Sequence, residues 1–145
     1  MSNVLWIDDS LSVLEALHSY LEEIEGIRLR AAGSFQKGLA ELESGDLSFD
    51  LLIFDFILMS DADHASLQRR LGIELAKIAV GKSVKKFIGY SVLSEKEMAR
   101  SWENLGRSLD LATVSTLTFK AFQKDSSVNE VIGAVKSMLN GGSHA

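Results

Sequence analysis

Apolar and polar positions alternate along this chain in two rhythms. Short apolar runs, "NVLWID" (3–8), "FDLLIFDF" (49–56) and "VKKFIGYS" (84–91), read as buried strands. "IRLRAA" (27–32) alternates like a strand, and "ATVSTLTFK" (112–120) is read as a fifth. Between them the period changes to that of a helix, over 10–26, 34–45, 71–81, 94–109 and 126–139. Leu11, Leu14, Leu17, Leu21 and Ile24 mark the first helix, with Gly26 as its stop. Ser34 and Gly45 bracket the second as cap and stop. Ser94 with Glu97, and Ser127 with Glu130, have capping-box spacing. Residues 57–70 have no clean period and read as a loop, and "NGGSHA" reads as a frayed tail. Strands alternating with helices imply a parallel sheet covered on both faces. Right-handed crossovers make a doubly wound α/β sheet of five strands and five helices the expected fold.

Composition narrows the class. At 145 residues, one domain is expected, spanning 1–140, with 141–145 as a flexible tail. No apolar run approaches the roughly 20 residues of a membrane span, and the first ten residues lack the basic start of a secretory signal. A cytoplasmic location with no membrane contact is the expectation. Cysteine is absent, which excludes disulfides and thiolate metal sites. The net charge of −5, with no basic cluster, argues against a nucleic-acid partner.

In a doubly wound sheet, ligands bind beyond the carboxyl ends of the strands. Every expected strand except the second ends in a polar or charged group: Asp8-Asp9, Asp55, Ser91 and Lys120. Three neighbouring carboxylates repel unless something compensates. An oxygen-preferring dication such as Mg²⁺, usually held by one or two carboxylates with waters and phosphate oxygens, is the economical answer. A hydroxyl and an ammonium across the same pocket suit a phosphoryl group. Asp55 is then a nucleophile able to form an aspartyl-phosphate.

"VLWIDDS", "DLLIFD", "FIGYS" and "TFK" stand in the order and strand context of response-regulator receiver domains, which the chain resembles over nearly its whole length. The resemblance implies a flavodoxin-like sheet in strand order 2-1-3-4-5. It implies that Asp55 accepts phosphate from a histidine kinase or phosphotransfer protein. Asp8, Asp9 and Asp55 would bind Mg²⁺ with the backbone carbonyl of Ile57. Ser91 would reorient toward the phosphoryl group and Lys120 would pair with it. Such a chain is a phosphoacceptor rather than an enzyme. With no effector domain after the last helix, output would pass by protein contacts at the face of the fourth helix, fifth strand and fifth helix, with Trp102 as an anchor.

The chain departs from that pattern in places. Met59 stands where a proline is usual, and Lys120 precedes Ala121 rather than proline, so a trans bond is expected. Leu117 occupies the position of the usual switch aromatic. Residues 57–70 are a candidate insertion beside the site. Ile57 and Leu93 are apolar at positions that flank the hydrolytic water, and Val92 replaces a small residue, so slow self-dephosphorylation is expected. These departures favour an alternative, a degenerate receiver that works without phosphate. A haloacid-dehalogenase-like phosphatase is a more distant alternative, because Ile57 stands where its general acid belongs. Simpler readings also exist. Asp9 could cap a helix, Ser91 could be a turn residue, and the acid–lysine cluster could be a buried ion pair. "GKS" (81–83) lacks a phosphate-loop glycine, since Ala76 stands there. His18, His64 and His144 have no metal-ligand spacing.

Overall fold

The computed structural model describes residues 2–10, 12–16, 26–58, 71–126 and 128–140. Residues 59–70 of the candidate insertion, the three histidines, Ser127 and residues 141–145 lie outside them, as does most of the expected first helix. The elements run β1 (Ser2–Ile7), α1 (12–16), β2 (Ile27–Ala32), α2 (Phe35–Ser44), β3 (Leu51–Phe54), α3 (Gly72–Gly81) and β4 (Lys86–Ser91). They continue as α4 (Glu95–Arg107), α5 (Leu111–Val114), β5 (Thr118–Gln123) and α6 (Val128–Asn140). The strands form one parallel sheet in the order β2-β1-β3-β4-β5, as expected.

Local chemistry explains the boundaries. The Ser34 hydroxyl accepts from the Lys37 N–H at the start of α2, and Gly45 ends that helix in the left-handed conformation at φ 73°. Ser94 and Glu97 close a complete capping box on α4. One expectation is corrected, and the correction adds a sixth helix. Residues 112–114, assigned from sequence to the fifth strand, wind instead with Leu111 into the single turn α5. Asp110 Oδ1 accepts the Thr113 N–H at 2.7 Å and starts that turn. A cap of this kind competes with an extended backbone. The fifth strand therefore begins at Thr118 and ends at Gln123, later than the apolar pattern suggested.

The pleat divides the core in two. Leu5, Ile7, Leu52, Phe54 and Phe87 face Leu42 of α2, Leu75 and Ala79 of α3, and Met98 and Leu105 of α4. Val4, Trp6, Leu51, Ile53, Ile88 and Tyr90 face Val131 and Val135 of α6, with Val13 and Leu14 of α1 against them. β3 is buried on both faces along its length, as its unbroken apolar run requires. Each fully buried large side chain contributes roughly 1.5–3 kcal/mol relative to exposure. Among the described residues no helix is long and apolar enough to cross a membrane.

Candidate functional site

Strand register brings the site together. Ile7 lies opposite Phe54, Phe54 opposite Gly89, and Ser91 opposite Gln123. The residues at and just past these positions, Asp8, Asp55, Ser91 and Lys124, therefore share one edge of the sheet. Asp8, Asp55 and Ser91 are buried, while Asp9 is exposed. Carboxylate oxygens of Asp8, Asp9 and Asp55 all lie within 4.8 Å of one another.

Each buried carboxylate is aimed by its own backbone. The Ser10 N–H donates to Asp8 Oδ1 at 2.9 Å, and the Ile57 N–H donates to Asp55 Oδ1 at 2.9 Å. The Leu93 N–H reaches the Ser91 hydroxyl oxygen at 3.4 Å. Ile57, two residues after Asp55, is half-buried against the core.

The cation of the site is Lys124, not Lys120. Lys124 Nζ donates to Asp55 Oδ2 at 2.8 Å and to Asp8 Oδ1 at 3.1 Å, and lies 3.1 Å from Asp8 Oδ2 as well. Its backbone N–H donates to the Ser91 carbonyl at 2.7 Å, which ties it to the neighbouring strand end. Its ammonium also sits 5.9 Å from the centre of the Tyr90 ring. Lys120 lies inside β5 opposite Ile88, exposed and short of the strand end. The shifted start of β5 is the cause, because it moves the strand's last residue from Lys120 to Gln123. The signal was present in "TFKAFQK", where Phe119, Ala121 and Phe122 carry the apolar pattern past the first lysine to the second. Among the described residues no peptide bond is cis.

Electrostatics separate the roles. Burial pushes Asp8 above its usual carboxylate value, against the opposing Ser10 hydrogen bond and the Lys124 charge. Burial also pulls Lys124 down, but the hydrogen bond and charge of Asp55, with the charge of Asp8, outweigh it and hold the ammonium above its ordinary value. Three carboxylates and one ammonium leave two negative formal charges in the cluster. Asp8 Oδ2 is buried and receives no hydrogen bond. An all-oxygen donor set with that charge, in which Asp8 Oδ2 has only the Lys124 ammonium at 3.1 Å beside it, fits a hard divalent cation such as Mg²⁺.

No protein family and no curated protein matches the chain. Solved structures do. A CheY-like response regulator receiver domain protein from Methanospirillum hungatei JF-1 superposes with a TM-score of 0.70 at 20% identity, over 97% of this chain and 95% of that one. A two-component response regulator from Clostridium difficile gives 0.70 at 20% identity, over 97% of both chains. The isolated receiver domain of RcsB from Salmonella enterica serovar Typhimurium, determined in the presence of the phosphomimetic BeF3⁻, gives 0.68 at 18% identity, over 97% of this chain and 89% of that one. Strand order and these superpositions agree that the chain has the fold of CheY-like response regulator receiver domains.

Proposed function

We propose that this chain is a phosphoacceptor receiver, in which Asp55 takes a phosphoryl group from a histidine kinase or phosphotransfer protein. The observation that carries the reading is the Lys124 ammonium, which spans Asp8 and Asp55 at two adjacent strand ends. An Asp55 carboxylate oxygen forms the new P–O bond as the donor's bond to phosphorus breaks and its electron pair leaves with the donor. Lys124 pairs with the negative charge that the phosphoryl group brings beside it. The Ile57 N–H holds the nucleophile's second oxygen in place. Ser91, at the next strand end, offers a hydroxyl donor to the same group. Asp8, Asp9 and Asp55 would hold Mg²⁺, with the Ile57 carbonyl as a further ligand, and the ion would neutralise charge on phosphate oxygens.

Output in this reading passes by protein contacts at the face of α4 and β5. Trp102 is half-buried there, stacked on Phe119 at 4.5 Å between ring centres. Beside it a groove of about 530 Å³ runs past Gly106, Leu109 and Val114 to Leu111, which is 87% exposed.

A second reading, a module that works without phosphate, is favoured by one observation. With Lys124 in the lysine's place, the residue three before it is Ala121, so an aromatic switch is missing there as it is at Leu117. One experiment separates the two: intact mass after incubation with acetyl phosphate and Mg²⁺. The receiver reading expects one phosphoryl group on the native chain and none on Asp55→Asn. No gain on either, with no Mg²⁺ binding, supports the phosphate-independent module.

A further inference from the structure

Helix α3 begins directly on the peptide that carries Asp55. The Gly72 N–H donates to the Phe56 carbonyl at 3.1 Å. A methyl group on Gly72 would collide with the carbonyl oxygen of Asp55. It would also sit 2.7 Å from that residue's carbonyl carbon and 2.8 Å from Phe56 Cα. These are backbone atoms, so none can swing aside as the tip of a side chain can. Leu75 and Ala76, fully buried, hold the following turn of α3 in the core and prevent the helix from retreating. Gly72 does not have a left-handed φ, so space rather than conformation demands glycine here. Gly81, at the other end of the same helix, is different: a methyl group there would meet nothing within 4 Å.

The pinned peptide serves the site twice. Through the Ile57 N–H it fixes Asp55 Oδ1, and the Ile57 carbonyl lies one peptide unit further on. We infer that Gly72 is a positioning residue: its missing side chain lets α3 clamp the Asp55–Ile57 peptide, which sets the aim of the nucleophile and the affinity for the cation. The inference rests on the receiver reading for what the clamp is used for, but the clamp itself is a property of the metal-free chain.

The test compares Gly72→Ala with Gly81→Ala in the full chain. Mg²⁺ affinity is measured by calorimetric titration, and the Ile57 amide resonance is measured in EDTA. Gly72→Ala is expected to weaken Mg²⁺ binding by about tenfold or more, as loss of a residue supporting metal ligands does, and to move the Ile57 amide. Gly81→Ala is expected to do neither. A folded Gly72→Ala protein with native affinity and an unmoved Ile57 amide overturns the inference. Should Gly72→Ala not fold, hydrogen exchange at the Gly72 amide of the native chain decides, being slowed by Mg²⁺ if the clamp is coupled to the site and unchanged if it is not. A native chain that binds no Mg²⁺ defeats the receiver reading, and the Ile57 resonance in EDTA then decides the clamp alone.

Discussion

The ammonium of Lys124 stands 2.8 Å from Asp55 Oδ2 and 3.1 Å from the Asp8 carboxylate, so a single cation joins two strand ends. Its side chain is only 17% exposed, and the two carboxylates less. Removing it leaves two buried carboxylates facing each other. Lys124→Ala is expected to lower the stability of the metal-free chain by about 2 kcal/mol, and to abolish or strongly slow phosphoryl gain from acetyl phosphate. Lys120→Ala removes an exposed side chain and is expected to change stability by no more than about 0.5 kcal/mol, with native phosphorylation. Urea midpoints in EDTA and a mass time course compare the two variants directly. Equal effects would show that the cluster does not use Lys124 in this way.

The sheet was legible because its signals are long and redundant: buried runs at Leu51–Phe54 and Lys86–Ser91, caps at Ser34 and Ser94, and a stop at Gly45. Asp8, Asp55 and Ser91 were legible for the same reason, since each sits at the end of such a run. Lys120 was misplaced because "ATVSTL" has the β-branched content of a strand, while one carboxylate, Asp110, turns it into helix. Local capping overrode propensity there, and a three-residue change in a strand end exchanged one lysine for another. The contact of Gly72 with the Asp55 peptide had no signal in the sequence, because it joins elements 17 positions apart through atoms every residue has.

The raised Asp8 gives the metal-free chain a definite pH response. Burial lifts its folded value above the ordinary 3.8, so folding favours the protonated acid. Its contribution is fully present below that ordinary value and is lost as pH rises through the folded one. Lys124 behaves in the same sense at the alkaline end, where its contribution is kept below the ordinary 10.5 and lost as pH passes the raised folded value. Asp8→Asn removes the acid-side loss. In EDTA at neutral pH the variant is expected to be more stable than the native chain, and the difference should vanish below pH 3.8. With Mg²⁺ the order should reverse, because a bound ligand stabilises the chain that holds it more tightly. Denaturation midpoints across pH, with and without Mg²⁺, measure both effects. A destabilised Asp8→Asn protein in EDTA at neutral pH would show that the Lys124 attraction outweighs burial.

Gly89 is another glycine crowded by the core. A methyl there would lie 2.5 Å from Phe56 Cε1, 3.2 Å from Phe119 Cε1 and 3.3 Å from the Met98 sulfur. Phe56 and Phe119 meet edge to face at 6.1 Å, and Phe119 stacks on Trp102, so the crowding runs from the residue after Asp55 to the α4 face. Gly89→Ala is expected to destabilise the chain by about 1–3 kcal/mol and to alter Trp102 fluorescence. Both are read in one urea titration followed by tryptophan emission. A neutral substitution would mean that the rings move apart at little cost.

The lifetime of the phosphoryl group should depend on the apolar residues around it. Leu93 is 9% exposed and belongs to the core, whereas Ile57 is half-buried and Val92 is 63% exposed. In the receiver reading, Ile57 and Val92 would form the rim that keeps water from an acyl phosphate, with Leu93 acting through packing. A long-lived phosphorylated native chain is expected. Ile57→Gln places an amide where it can orient water, and is expected to speed loss of the phosphoryl group by about tenfold. Ile57→Leu keeps the rim apolar and should leave the rate unchanged. The decay of the phosphorylated mass after removal of acetyl phosphate gives all three rates. A short native lifetime, insensitive to Ile57→Gln, would show that water reaches the site by a path these side chains do not guard.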